Sequence, residues 1–208
     1  MLGGSTLDIA YTVINQVAAL LAIVLLSPLL VYIAFRIWRV DGAPIAFAHF
    51  RVGQQGVLFR CFKFRTMVRN SQDVLAELLR TDEAALAEWV RDQKLRNDPR
   101  VTDIGVFLRR SSLDELPQLF NILLGQMHFV GPRPVTIAEL RRYGASKRHY
   151  LSVRPGLTGL WQVSGRNDTT YEQRVQYDSD YVERRNPLFD VWILLRTLKV
   201  LVTREGAH

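Results

Sequence analysis

Two adjacent carboxylates, Asp114 and Glu115, stand in the segment Ser111-Ser112-Leu113-Asp114-Glu115-Leu116-Pro117. The pair Arg109-Arg110 precedes it and the turn Gly131-Pro132-Arg133-Pro134 follows. Carboxylates ringed by arginine suit chemistry on a phosphate. A carboxylate holds a divalent metal or attacks phosphorus, and guanidinium groups neutralise phosphate oxygens. Gly-Pro-Arg-Pro fixes the backbone on both sides of one long cation, which makes Arg133 a candidate phosphate ligand. Arg154 and Arg166 flank a loop with Gly156, Gly159 and Gly165, a composition that lets backbone approach a ligand. Lys63 and Arg65 are two residues apart, so on an extended chain they project to one face. Substrate phosphate and a solvated edge both fit that pair. The dyad also has a structural reading. Ser112-Leu-Asp-Glu115 fits a capping box, with Ser112 as N-cap and Glu115 at the third helical position. Pro117 then falls at the fifth position, where its missing N–H is needed, so the start of that helix is open. No P-loop, Cys/His metal cluster or Ser-His-Asp arrangement is readable in the sequence.

The elements that must position these residues fit one ordinary domain plus a membrane segment. The chain has 208 residues and 48% hydrophobic content, enough for a core. Its one cysteine, Cys61, excludes an intramolecular disulfide and fits a reducing compartment. Of its 27 cations 23 are arginine, a bias toward bidentate contacts with phosphate or carboxylate. The net charge of +7 also suits anionic lipid headgroups. The cations are scattered rather than gathered into a basic helix or arm, which argues against nucleic acid as the partner.

The run from Val17 to Phe35 holds 19 residues without a charge, near the ~20 that span a bilayer. It lacks a cationic leader and a small-residue cleavage site, so it is expected to stay in the mature protein. Ser27-Pro28 interrupts it, leaving open a kinked spanning helix or a helix-break-helix that enters and leaves by one face. Residues 45–52 and 57–64 read as strands of a hairpin around Gly53-Gln-Gln-Gly56. Helices are expected over 71–93, 116–127, 135–150, 171–185 and 188–203, with a loop at 154–159.

The ordered set of motifs resembles the bacterial sugar transferase family, the monotopic phosphoglycosyl transferases. The matching segments include Ser27-Pro28, Lys63-Phe64-Arg65-Thr66-Met67, Asp98-Pro99-Arg100-Val101-Thr102, Leu108 to Asn121, Val130 to Pro134 and Arg154 to Asn167. The resemblance implies an α/β fold, mostly helical with a small β-hairpin. A re-entrant helix-break-helix over 1–40 would be followed by a cytoplasmic catalytic domain over 41–208, on the bacterial inner membrane. It implies transfer of hexose-1-phosphate from a UDP-hexose, glucose or galactose, to undecaprenyl phosphate with release of UMP, as the first membrane step of exopolysaccharide or O-antigen assembly. Asp114 would be the nucleophile and a ligand of Mg²⁺, and Glu115 would complete the dyad. Lys63, Arg65, Arg109, Arg133, Arg154 and Arg166 would bind substrate, and a homo-oligomer is compatible with all of this. Two rivals remain: an ordinary glycosyltransferase releasing UDP, and a membrane-tethered, non-catalytic binder of anionic lipid or polymer.

Overall fold

A computed structural model describes residues 6–92, 95–165 and 169–203. The fold is mostly helical, with ten helices and two small two-stranded sheets among the described residues. Helix α1 (Thr6–Asp41) leads into the hairpin β1 (Ala46–Val52) and β2 (Leu58–Phe64), which pair antiparallel with Ala46 opposite Phe64 and Val52 opposite Leu58. Helices α2 (Ser71–Thr81), α3 (Glu83–Asp92) and α4 (Asp103–Arg110) follow, then a short 3-10 turn at Leu113–Glu115 and α5 (Gln118–Leu123). Strand β3 (His128–Val130) comes next, then α6 (Ile137–Arg141), α7 (Lys147–Ser152) and β4 (Gly156–Thr158). The chain ends with α8 (Leu160–Ser164), α9 (Tyr171–Arg184) and α10 (Pro187–Thr203).

Helix α1 does not break at Ser27-Pro28; a single helix of 36 residues runs through that point, about 54 Å at 1.5 Å per residue. The local chemistry accounts for the continuity. Pro28 has no N–H to give the carbonyl of Val24, and the Ser27 hydroxyl donates to that same oxygen at 2.8 Å. One stripe of α1 packs on the domain from end to end. Ala19 joins Phe59, Cys61, Leu119, Ile122 and Met127 in one core cluster, and Ile33 and Ile37 join Phe64 and Leu108 in another. Each of the Ile, Leu, Met and Phe side chains among them contributes roughly 1.5–3 kcal/mol by leaving water. Nearer the N-terminus the contact is polar. Asn15 Oδ1 accepts from the Phe129 amide at 2.9 Å, and Gln16 Nε2 donates to the Leu123 carbonyl at 2.9 Å. The opposite face is apolar and uncovered, with Leu25 80% and Val31 68% exposed.

The hairpin follows the sequence reading within a residue. The helix expected over 71–93 is two helices. Asp82 takes extended backbone; its amide closes α2 on Leu78, and its Oδ1 caps α3 by accepting from the Ala85 amide at 3.0 Å. The helix expected over 135–150 is likewise split, by Gly144 at φ +52. The expected loop at 154–159 contains β4, which pairs parallel with β3. Its glycines serve that crossing: Gly131 donates to the Thr158 carbonyl and Gly156 to the Pro132 carbonyl, both at 2.9 Å. A Cβ at Gly131 would lie 2.6 Å from the Arg154 carbonyl oxygen, and one at Gly156 would collide with the Gly131 nitrogen. The close approach these glycines allow is therefore backbone on backbone, and it fixes the Arg133 turn.

Candidate active site

Three segments bring cations to the dyad: β2, the end of α4 and the turn at 131–134. Strand β2 ends at Lys63-Phe64, and α4 ends at Arg109-Arg110. Ser112 then takes left-handed backbone, φ 57 and ψ 16, at a cost of roughly 1–2 kcal/mol, and starts the turn that carries Asp114 and Glu115. The capping box that the sequence left open as an alternative does not form. The Ser112 side chain caps nothing, Pro117 precedes the first residue of α5, and Glu115 faces cations instead.

Lys63 Nζ donates to Glu115 Oε1 at 2.6 Å and lies 3.6 Å from Asp114 Oδ2. Arg133 Nη2 reaches the same Glu115 oxygen at 3.3 Å. Arg109 donates from Nε to Thr66 Oγ1 at 2.9 Å, which holds its guanidinium beside the dyad. The two carboxyls are thereby made unequal. Burial would raise Glu115, but Arg133 and Lys63 outweigh burial and hold it down to about 2. Burial raises Asp114 above the usual aspartate range, with the Glu115 charge adding to the rise while Lys63, Arg109 and Arg133 oppose it. Glu115 is a fixed anion that orders two cations. Asp114, whose side chain is 13% exposed, is the carboxylate left without a hydrogen bond among the described residues.

Two of the sequence candidates are held elsewhere. Arg65 is buried and donates from Nη2 to the carbonyls of Asp41 and Gly42, at 3.1 and 2.8 Å, tying the end of α1 to β2. Arg154 donates from Nε to Gly125 O at 2.7 Å and from Nη1 to Thr12 Oγ1 at 2.9 Å, tying the start of α1 to the domain. Lys63 and Arg65 therefore serve different partners: Lys63 meets the dyad, while Arg65, whose amide still pairs with the Ile45 carbonyl at 3.0 Å, meets the end of α1. Arg166 lies outside the described residues. Trp161, which the sequence reading passed over, carries the Arg133 guanidinium 5.8 Å above its ring.

Among the described residues no group of three or more His, Cys, Asp or Glu side chains gathers to hold a metal. The donor set nonetheless fits Mg²⁺, which takes one or two carboxylates and completes its shell with phosphate oxygens and water. Asp114 offers such a carboxylate, whereas Glu115 Oε1 is already committed to Lys63 and Arg133.

The fold and the site define a class: a domain with a long apolar helix on its flank and one uncommitted carboxylate among fixed cations. The chain belongs to the bacterial sugar transferase family, whose sequence profile matches residues 7–204. It is 52% identical over 92% of its length to the undecaprenyl-phosphate galactose phosphotransferase of Salmonella typhimurium, covering 40% of that protein. It is 45% identical to the exopolysaccharide production protein ExoY of Rhizobium meliloti, over 93% of this chain and 86% of that one. Identity to the UDP-glucose:undecaprenyl-phosphate glucose-1-phosphate transferase of Escherichia coli is 37%, over 88% of this chain and 38% of that one. The chain thus spans about two fifths of the length of several of these relatives.

Proposed function

We propose that the protein transfers hexose-1-phosphate from a UDP-hexose, UDP-galactose or UDP-glucose, to undecaprenyl phosphate and releases UMP, opening the assembly of an exopolysaccharide or O-antigen repeat unit. The observation that carries this reading is the asymmetry of the dyad: Glu115 is clamped by Lys63 and Arg133 while Asp114 makes no hydrogen bond among the described residues. An Asp114 oxygen attacks the β-phosphorus of the donor. A phosphorus–oxygen bond forms to the carboxylate, the bond to the bridging oxygen breaks, and UMP departs with that electron pair. An oxygen of the lipid phosphate then attacks the same phosphorus, and the Asp114 carboxylate is regenerated. Lys63, Arg109 and Arg133 hold positive charge beside the equatorial oxygens throughout. Mg²⁺, held by Asp114 and the donor's phosphates, would supply further charge neutralisation.

In this reading α1 seats the domain on the bacterial inner membrane with the site on the cytoplasmic face. Its two ends pack on one domain, through Thr12, Asn15 and Gln16 and through Ile33 and Ile37, which favours both ends on one side of the bilayer. The helix is continuous here, and a re-entrant bend in lipid would have its weakest point at Ser27-Pro28, where a backbone hydrogen bond is missing. The test of the reaction is to incubate the protein with UDP-galactose or UDP-glucose and undecaprenyl phosphate, with Mg²⁺ or with excess EDTA, and to separate the nucleotide products. UMP formed only with Mg²⁺ supports the account. UDP as the product would mean transfer of the sugar alone, and no nucleotide release from any UDP-hexose would favour a non-catalytic binder.

A further inference from the structure

Arg174 on α9 meets the same Trp161 ring as Arg133 and has no part in the chemistry above. It is buried, at 9% exposure, yet neither Nε nor Nη2 has a hydrogen-bond partner among the described residues. Its Nη1 stands 3.7 Å from Glu139 Oε1, beyond hydrogen-bond distance. That oxygen is the counter-charge of Arg174, because the hydrogen bonds Glu139 accepts from Arg51 at 3.4 Å and from the Thr136 amide at 2.8 Å both fall on Oε2. The guanidinium carbon of Arg174 lies 4.7 Å from the centre of the Trp161 ring and 5.5 Å from that of Tyr171. Arg133 lies over the same indole at 5.8 Å while it touches Glu115. Trp161 thus sets a second buried guanidinium near the one that borders the dyad.

Nε and Nη2 form one planar edge of an arginine, the edge that grips two oxygens of a phosphate or carboxylate side-on. Glu139 answers the charge at Nη1, but a buried donor edge left without an acceptor is still costly until one meets it. We propose that the Nε–Nη2 edge of Arg174 binds a phosphate of the nucleotide donor, the one that leaves with the nucleoside. The identity of the donor rests on the transfer reaction proposed above. A diphosphate donor presents two anionic groups. Arg133, at the dyad, serves the phosphorus under attack, and Arg174 serves its neighbour, on which charge grows as the bridging bond breaks. One turn along α9, Asp178 accepts from the Tyr143 hydroxyl at 2.7 Å, and its other oxygen has no hydrogen bond among the described residues. A water between that oxygen and Arg174 is the competing occupant.

Equilibrium binding of UMP and of uridine to the full chain in detergent, compared among wild type, Arg174→Gln and Arg174→Lys, separates the two. The subsite predicts that Arg174→Gln weakens UMP by roughly 10- to 100-fold, the scale of a hydrogen bond to a charged group, and leaves uridine unchanged. Arg174→Lys should fall between, since a point charge does not reproduce the fork. A folded Arg174→Gln protein that loses thermal stability but keeps the wild-type ratio of UMP to uridine affinity would overturn the proposal in favour of water. If Arg174→Gln does not fold, Arg174→Lys decides by the same ratio: a fall supports the subsite and no change overturns it. Turnover that yields UDP, with a ratio that still depends on Arg174, would sink the transfer reaction and leave the phosphate subsite standing. UMP as product with an unchanged ratio would do the reverse.

Discussion

Replacing Asn121 with alanine should both destabilise the protein and slow it. Asn121 is fully buried on α5 and makes three hydrogen bonds. Its Oδ1 accepts from the Phe62 amide at 3.0 Å, and its Nδ2 donates to the Arg60 carbonyl and to Gln126 Oε1, both at 2.7 Å. The side chain thus occupies the open edge of β2, the place a third strand would take, and pins that strand beside the dyad turn. Alanine leaves an amide, a carbonyl and an amide oxygen unpaired. At about 1 kcal/mol or more for each, the loss is about 3 kcal/mol, or roughly 6–12 °C in Tm for a chain of this size. Lys63 is the residue after Phe62, so loosening the strand edge also loosens the 2.6 Å contact with Glu115. A misplacement of that kind lowers turnover by roughly 10- to 100-fold. Asn121→Asp keeps the acceptor for Phe62, loses both donations and should fail likewise. Thermal unfolding in detergent and the initial rate of UMP release read the two effects. An Asn121→Ala protein with wild-type Tm and rate would refute the idea that this side chain sets the position of β2.

Three further outcomes follow from other parts of the fold. Burial raises the Asp190 carboxyl from the ordinary 3.8 to about 7, so the folded chain holds that proton more tightly than the unfolded one. Its contribution to stability is then full below about pH 3.8 and is lost as pH rises through about 7. Asp190→Asn should flatten part of the fall in Tm across that window, leaving the part due to Asp178, raised by burial to about 6; an unchanged Tm–pH curve would show that Asp190 does not titrate there. Gly156→Ala puts a methyl group into the Gly131 backbone and should cost roughly 1–3 kcal/mol while displacing Arg133 and reducing activity; full activity would mean that the crossing does not set Arg133. In a Cys61→Ser background, single cysteines at positions 4 and 42 should both resist an impermeant thiol reagent added to intact cells, and labelling of position 4 alone would show that α1 spans.

The sequence made the dyad and the hairpin readable because their signals are local. Adjacent carboxylates between arginines point to phosphate chemistry wherever the chain places them. Alternation around Gly53-Gln-Gln-Gly56 specifies two strands at short range. The capping of α3 by Asp82 was equally local, but the apolar spacing on either side ran through it. Strands β3 and β4 have three residues each, too few for a period to show, and they pair across a long stretch of chain. The fates of Arg65 and Arg154 were hidden for a related reason. Each reaches α1, and a cation's neighbours depend on how a distant helix packs. Trp161 and Arg174 belong to separate helices, and a mixed helix such as 171–185 reads as solvated until its neighbour is known. The continuity of α1 turns on one hydroxyl, Ser27, answering the gap that Pro28 leaves.

The central claim is that Asp114 carries the phosphosugar. Intact-mass spectrometry of the protein incubated with a UDP-hexose and Mg²⁺, with no lipid acceptor, tests it most directly. The account predicts that wild type gains one hexose-phosphate, that peptide mapping places it on Asp114, and that UMP is released in equal amount. Asp114→Asn should fold as wild type and gain none, because an amide in place of the carboxylate cannot attack phosphorus. An unmodified wild-type protein that still makes product once lipid phosphate is added, or an Asp114→Asn variant with near-normal turnover, would contradict the covalent scheme and leave direct transfer in its place.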